Sequence, residues 1–219
     1  MTEIPKFFRD RRPTDWQEII AGQARGLSAN SISCFAEVSG LASDVERALR
    51  HQQRAETRQA MSDLGYMILV SASQSRVYMS NALALKYPGY CLRCQRRRGC
   101  QCKQTDRLPA VELVGQPQSP LVRLSLPTWQ SRLHRLYYQA NKQNGLVITW
   151  GRLMAEIGEA WREIGRRGSP SQADHYPLHN EFADVFAWWL ALVNLLDFSA
   201  EELLYEVHSA RINSSHSSI

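Results

Sequence analysis

Two pairs of carboxylates carry the strongest chemical signal in this chain. The stretch LMAEIGEAWREIG offers Glu156 and Glu159, and NEFADVFAWWLALVNLL offers Glu181 and Asp184. Within each pair the acids lie three residues apart, which puts them on one helix face about one turn apart. Four carboxylates from two facing helices form a hard-oxygen cage suited to Mg²⁺ or Mn²⁺. The second stretch argues for this more strongly than the first. Residues 185–193, VFAWWLALV, are apolar without a break, as in a helix buried on all sides. Glu181 and Asp184 sit at its start, on the side that Trp188 and Leu195 share. Buried carboxylates are rare unless paired or metal-bound. In the first stretch the apolar stripe runs through Trp150, Leu153, Ile157, Trp161 and Ile164. The glutamates fall opposite it, as a solvated acidic face beside Arg152 would. Spacing alone leaves both a metal site and a structural pairing of charges open.

A second group of ligand-type residues lies in KYPGYCLRCQRRRGCQCK, where Cys91, Cys94, Cys100 and Cys102 are spaced C-x2-C-x5-C-x-C. Disulfides are not expected in a cytosolic chain. Four thiolates can close a tetrahedral zinc site, although the span is shorter than in ordinary two-knuckle sites. An iron–sulfur cluster and oxidisable free thiols are the alternatives. Arg96, Arg97 and Arg98 between the cysteine pairs could contact phosphate backbones. No aromatic residues interleave them for base stacking, so a solvated basic loop is preferred and nucleic acid is possible but not the favoured partner. The fifth cysteine, Cys34, stands in an apolar helical stretch and reads as a small core residue.

The elements that must position these groups are helical. At 219 residues the chain can hold one large domain or two small ones. The net charge of +5 allows an anionic ligand without demanding one. The N-terminal MTEIPKFFRDRRPTDW has no apolar run before a cleavage site, so no signal peptide is expected. No run is long enough to span a bilayer, and a soluble cytoplasmic protein is expected. Residues 1–13 read as a flexible arm. Thr14 is placed as N-cap of a helix facing inward through Trp16, Ile19 and Ile20. Residues 31–52 show helical spacing through Phe35, Val38, Leu41, Val45 and Leu49. Residues 55–86 form a further helical stretch with a break near Ser73–Ser75. Residues 104–126 are a Pro-rich linker in which AVELV and LVRLSL could be short strands or extended segments. Residues 128–145 form a helix that Asn144–Gly145 ends. Gly168–Pro177 is the loop between the acid-bearing helices. Ser199 and Glu202 make a capping box for the last helix, and residues 213–219 are a disordered tail.

The order of these pieces repeats. TDWQ, FAEVSGLASDVERAL and AMSDLGYMILV are followed later by PTWQ, MAEIGEAWREI and EFADVFAWWLALV. Trp16 corresponds to Trp129, Glu37 to Glu156 and Asp63 to Asp184. Gly40 and Ala60 stand where the second copy has Glu159 and Glu181. The chain therefore reads as two copies of one helical unit, 14–88 and 127–212, with the Cys-rich loop 89–103 and the linker between them. The first copy is degenerate, because two carboxylates alone offset too little of the cost of dehydrating Mg²⁺.

The acid pattern resembles that of the MazG-like all-α nucleoside triphosphate pyrophosphohydrolases, whose signature is a helix reading EExxE followed by one reading ExxD and an apolar run. Glu156 and Glu159 match the last two acids of the first motif, and Ala155 stands where its first glutamate would be. Glu181 and Asp184 match ExxD. The resemblance covers residues 127 to about 205, with TWQSRLHRLYYQANKQNG resembling the leading helix. Some MazG-like proteins also carry a Cys-rich tail after a helix ending in KYP.

The resemblance implies an all-α fold in which two tandem units pack as a pseudo-dimeric helix bundle, alone or paired as a homodimer. It implies a nucleoside triphosphate substrate, cleaved at the α-phosphorus to monophosphate and pyrophosphate with Mg²⁺ (or Mn²⁺) on the four carboxylates. A lysine soon after the ExxD helix helps hold phosphates in the family. Lys86 has that place in the first copy, and the matching place near Val207 has none, so Lys86 is expected to serve the second copy's site; a solvated lysine at a helix end is the alternative. The base needs an aromatic platform, for which Trp129, Trp150, Trp161 and Trp188 are candidates. A binding module that kept the fold without turnover is the second reading. No Gly-rich phosphate loop, HExxH or Ser/His/Asp pattern points to another enzyme class.

Overall fold

The helical spacing of the apolar residues is realised throughout. The computed structural model describes residues 3–24, 31–100, 102, 120–166 and 176–216. Seven α-helices and no strand occur among the described residues: α1 (Pro13–Gln23), α2 (Ser31–Arg50), α3 (Arg54–Gln74), α4 (Met79–Lys86), α5 (Leu126–Arg166), α6 (Tyr176–Leu195) and α7 (Ala200–His216). The fold class is all-α. α2 packs on α3 and α5 on α6, while α4 also packs on α6 and α7 on α3. One apolar core joins all seven, from Trp16 on α1 through Phe35, Met61 and Met79 to Trp129, Phe182 and Leu203. α6 is buried nearly all round, with Phe182, Val185, Phe186, Trp189, Leu190, Leu192 and Val193 fully inside. Each such side chain contributes about 1.5–3 kcal/mol by leaving water. Between Glu181 and Val193, the partly open residues are Glu181, Asp184 and Trp188. Trp189 lies against Gly65 of α3, where a Cβ would run into its indole ring, and its Nε1 donates to the Met61 carbonyl at 3.0 Å.

The corners that close α3 onto α4 and α6 onto α7 are built alike. Arg76 and Asp197 each adopt left-handed backbone, with φ 56° and 55°. Beyond them Val77 N–H donates to Ala72 O at 2.8 Å and Phe198 N–H to Val193 O at 2.9 Å. This is the Schellman closure of a helix end. The glutamine of each WQ dipeptide clamps the corner. Gln17 Nε2 donates to Val77 O at 2.7 Å and its Oε1 accepts from Met79 N–H at 3.0 Å. Gln130 Nε2 donates to Phe198 O at 2.8 Å and its Oε1 accepts from Ala200 N–H at 2.9 Å. Gln17 is 4% exposed, so its loss would strand a backbone donor and acceptor away from water. Gln17→Ala is expected to cost about 3 kcal/mol and Gln130→Ala, at the more open corner, about 2 kcal/mol. The urea midpoints of the two variants check this.

Several local expectations change. The N-cap of α1 lies two residues earlier than expected: it is Arg12, with Pro13 the first helical residue, and Arg12 N–H is accepted by Asp15 Oδ2 at 2.9 Å. The Thr14 hydroxyl instead accepts from Ser80 N–H at 3.0 Å, tying α1 to α4. Residues expected as a loose arm include a 3-10 helix, Lys6–Phe8, and Phe8 stacks on Trp16 with ring centroids 5.7 Å apart. Pro120–Arg123 is a 3-10 helix where LVRLSL suggested extended chain; AVELV lies outside the described residues. Gly145, with φ 69° and ψ −179°, breaks α5 where a helix end was expected, and helical backbone resumes directly after it. α3 ends at Gln74, at the expected break. The loop between the acid-bearing helices lies mostly outside the described residues, and Pro177 is already in α6. Ser199 Oγ accepts from Glu202 N–H at 3.3 Å, as an N-cap should, while the Glu202 carboxylate is taken by Arg58 at 3.0 Å. α7 extends to His216, through residues expected as tail. No single described helix is long and apolar enough to cross a membrane.

Candidate functional site

The second half of α5 and the start of α6 bring the predicted acids together. One carboxylate oxygen each of Glu156, Glu159 and Glu181 lies within 4.8 Å of the others. Asp184, one turn beyond Glu181, is held from the end of α4. Lys86 Nζ, at the end of α4, lies 2.9 Å from Asp184 Oδ2, and Tyr87 O–H donates to Asp184 Oδ1 at 2.6 Å. Lys86 and Asp184 are both largely buried. Burial and like-charge crowding raise the proton affinity of two of these acids, Glu156 and Glu181. Burial, then Asp184, Glu159 and Glu181, pushes Glu156 up to about 8. Burial, then Asp184 and Glu159, pushes Glu181 up to about 7. Burial alone would lower Lys86, but Asp184, Glu181 and Glu156 outweigh it and hold its pKa up. A cluster of this kind is a place where a cation relieves like-charge repulsion.

A cavity of about 220 Å³ opens beside the cluster. Along α6 it is lined by Asp184, Ala187, Trp188, Ala191 and Asn194, positions that share one face over about 15 Å. Glu156, Lys86 and Tyr87 border it, and α5 contributes Leu133, Tyr137 and Asn141. Of the four candidate platforms, Trp188 lines this cavity. Trp129 is fully buried in the core. Trp150 Nε1 donates to Ala42 O at 3.1 Å, and Trp161 stacks on Phe35 with centroids 6.0 Å apart; neither borders the cavity. Ala155, where the resembled motif has its first glutamate, faces solvent.

Asp63, the residue that the sequence repeat sets against Asp184, is engaged by other side chains. Asp63 Oδ1 lies 3.5 Å from Arg211 of α7, and its Oδ2 accepts from Gln59 Nε2 at 2.9 Å. Glu37 is exposed, and no carboxylate occupies positions 40 and 60. Asp63 and Asp184 are thus each met by a cation, from α7 and from the end of α4.

The four cysteines converge. Cys100 Sγ lies 3.3 Å from Cys91 Sγ and 3.8 Å from Cys94 Sγ, and Cys91 and Cys102 are 3.9 Å apart. A tetrahedron with metal–sulfur bonds of about 2.3 Å has edges of about 3.8 Å, so the four thiols fit a metal such as zinc. Gln95 and Gly99, with φ 54° and 59°, make the tight turns that aim the thiols inward. Gly99 N–H and Cys100 N–H donate to Arg135 O and Leu136 O of α5 at 3.0 and 2.8 Å, docking the loop on the helix. A backbone hydrogen bond from Arg96 lowers Cys94 to about 7, favouring a thiolate. Cys100→Ser is expected to abolish stoichiometric metal retention and cost about 2 kcal/mol, read by metal analysis and thermal melting.

The functional arrangement includes side chains that motif reading did not single out. Tyr87 follows Lys86 directly in KYP, and that adjacency was its only signal. Tyr137 and Asn141 sit on α5 among residues of ordinary helical spacing. Comparison with family models, curated proteins and solved structures finds no match for the chain.

Proposed function

We propose that this protein is a metal-dependent nucleotide pyrophosphohydrolase that cleaves a nucleoside triphosphate to monophosphate and pyrophosphate. The observation that carries the reading is the convergence of Glu156, Glu159 and Glu181 beside the Asp184–Lys86 pair at an apolar cavity bordered by Trp188. Three oxygen donors within 4.8 Å of one another suit Mg²⁺ or Mn²⁺, with Asp184 adjacent as a fourth. Mg²⁺ bound there would supply charge neutralisation at the phosphate oxygens and acidify a water. The chain's own groups do the rest. Trp188 and the apolar lining receive the base and sugar. Lys86 presents its ammonium to the phosphates, with its pairing to Asp184 keeping it charged and in place. A carboxylate of the cluster takes the proton of the attacking water. The oxygen of that water bonds to the α-phosphorus, and the bond to the bridging oxygen breaks, its electron pair leaving with pyrophosphate.

A tandem duplication accounts for the matched corners clamped by Gln17 and Gln130 and for the reciprocal pairs Lys86–Asp184 and Arg211–Asp63. In this reading the first unit kept its packing role, lost the metal, and supplies Lys86 to the second unit as a pseudo-dimer within one chain. The four-cysteine loop holds a structural zinc.

One observation favours the second reading, a nucleotide-binding module without turnover: Asp184 is already engaged by both Lys86 and Tyr87. Pyrophosphate release from a panel of ribo-, deoxyribo- and modified triphosphates with Mg²⁺ or Mn²⁺ separates the two. Release that yields the matching monophosphate supports the enzyme. Tight nucleotide binding with no release moves the conclusion to the binding module.

A further inference from the structure

The four-cysteine loop does more than staple two units. Cys91, Cys100 and Cys102 line the same cavity as Glu156 and Asp184. Tyr137 packs against Cys91 and Cys100 on one side. On the other its ring meets Tyr87 edge-on, with centroids 6.3 Å apart, and Tyr87 holds Asp184 at 2.6 Å. The thiol cluster and the acidic cluster are therefore joined through two tyrosines in one wall.

Charge points to what that wall would meet. A divalent ion and Lys86 together leave one negative charge of the four carboxylates uncompensated, before any ligand enters. A triphosphate adds several negative charges more, so the site needs another cation. Among the described residues, two cations line the cavity, Lys86, already counted in this balance, and Arg93. Arg93 stands between Cys91 and Cys94, so its backbone is positioned by two of the four thiols. The planar guanidinium offers paired donors that match phosphate oxygens.

Building on the proposed function, we infer that the four-cysteine loop is a wall of the nucleotide site, set in place by its own metal, and that Arg93 within it binds the phosphates of the ligand. Metal at the four thiols then governs nucleotide affinity as well as local stability. Loss of that metal would free the loop that carries Arg93.

The test uses the full chain with Co²⁺ at the four thiols and a non-hydrolysable α,β-imido nucleoside triphosphate with Mg²⁺. In wild type, ligand binding should shift the cobalt–thiolate absorption bands, which a remote structural staple would not do. Arg93→Ala should weaken binding and raise KM by about 10- to 100-fold, with kcat changed less than about twofold and metal content unchanged. Arg93→Lys should recover part of the loss. Cobalt bands unmoved by a ligand that binds, together with Arg93→Ala binding as wild type does, would overturn the inference while leaving the functional reading intact. Should Arg93→Ala not fold, the wild-type cobalt spectrum decides alone. If wild type neither binds nor cleaves any triphosphate, the functional reading fails, and the inference falls with it.

Discussion

Glu156→Gln is expected to cut pyrophosphate release by about 10³-fold while making the Mg²⁺-free protein more stable than wild type at pH 8. The two effects have opposite signs for one reason. Glu156 lies among Glu159, Glu181 and Asp184, and its partial burial is the largest cause of its high pKa. With no cation present, ionising it costs folding free energy; an amide of nearly the same shape removes that cost. With a cation present, the same carboxylate is a ligand, and an amide is a far weaker one for a hard ion. Mg²⁺ should therefore raise the melting temperature of wild type but hardly that of the variant. If Glu156 were instead one half of a structural charge pair, the substitution would destabilise the protein with or without Mg²⁺. Melting curves with and without Mg²⁺, beside a pyrophosphate assay on the same preparations, distinguish the two.

The parts of this site legible in the sequence are those encoded by helical period. VFAWWLALV identifies α6 because an unbroken apolar run has few uses other than a buried helix. The acid pairs are legible because a three-residue spacing fixes their shared face whatever surrounds them. The WQ dipeptides are visible as a repeat, but their work at the helix corners is not, since Gln17 and Met79 are 62 residues apart. Distance along the chain also hid Tyr87, whose hydroxyl reaches Asp184 across 97 residues. The expectation for Lys86 came from resemblance, and the packing of α4 on α6 is what brings it to Asp184. The N-terminal segment reads as loose because its composition is polar; Phe8 docks it by packing on Trp16, Tyr205 and His208. Pro13 starts α1 ahead of Thr14, because its fixed φ suits the first helical position and leaves the threonine hydroxyl to Ser80. LVRLSL alternates like a strand, but with no neighbouring strand among the described residues to pair with, part of it winds into a 3-10 helix instead.

The Mg²⁺-free protein should lose stability as pH rises from about 6.5 to 8.5, and Mg²⁺ should restore it. In the unfolded chain glutamates titrate at about 4.5. Folded, Glu156 is pushed up to about 8 and Glu181 to about 7. Between those values the folded state keeps protons that the unfolded chain has released, so stability falls with rising pH through the window. Below about pH 4.5 both states are protonated, so the stability these protons confer is fully present and no longer changes with pH. After discounting for the partial exposure of both carboxylates, the loss over this window is about 1.5 kcal/mol, or a melting temperature lower by about 4 °C for a chain of this size. Two other groups oppose the trend. His208, lowered by burial, adds stability as pH rises towards its ordinary value near 6.5. Cys94, lowered to about 7, does the same at higher pH. Both cancel when wild type is compared with the double variant Glu156→Gln/Glu181→Gln, because each is present in both proteins. The difference in melting temperature between the two should therefore grow from pH 6.5 to 8.5, with the variant the more stable. Saturating Mg²⁺ should reverse the order at pH 8.5 by stabilising wild type alone. A difference that stays flat with pH would mean that the two glutamates are solvated as ordinary surface acids, and would remove the electrostatic case for a cation between α5 and α6.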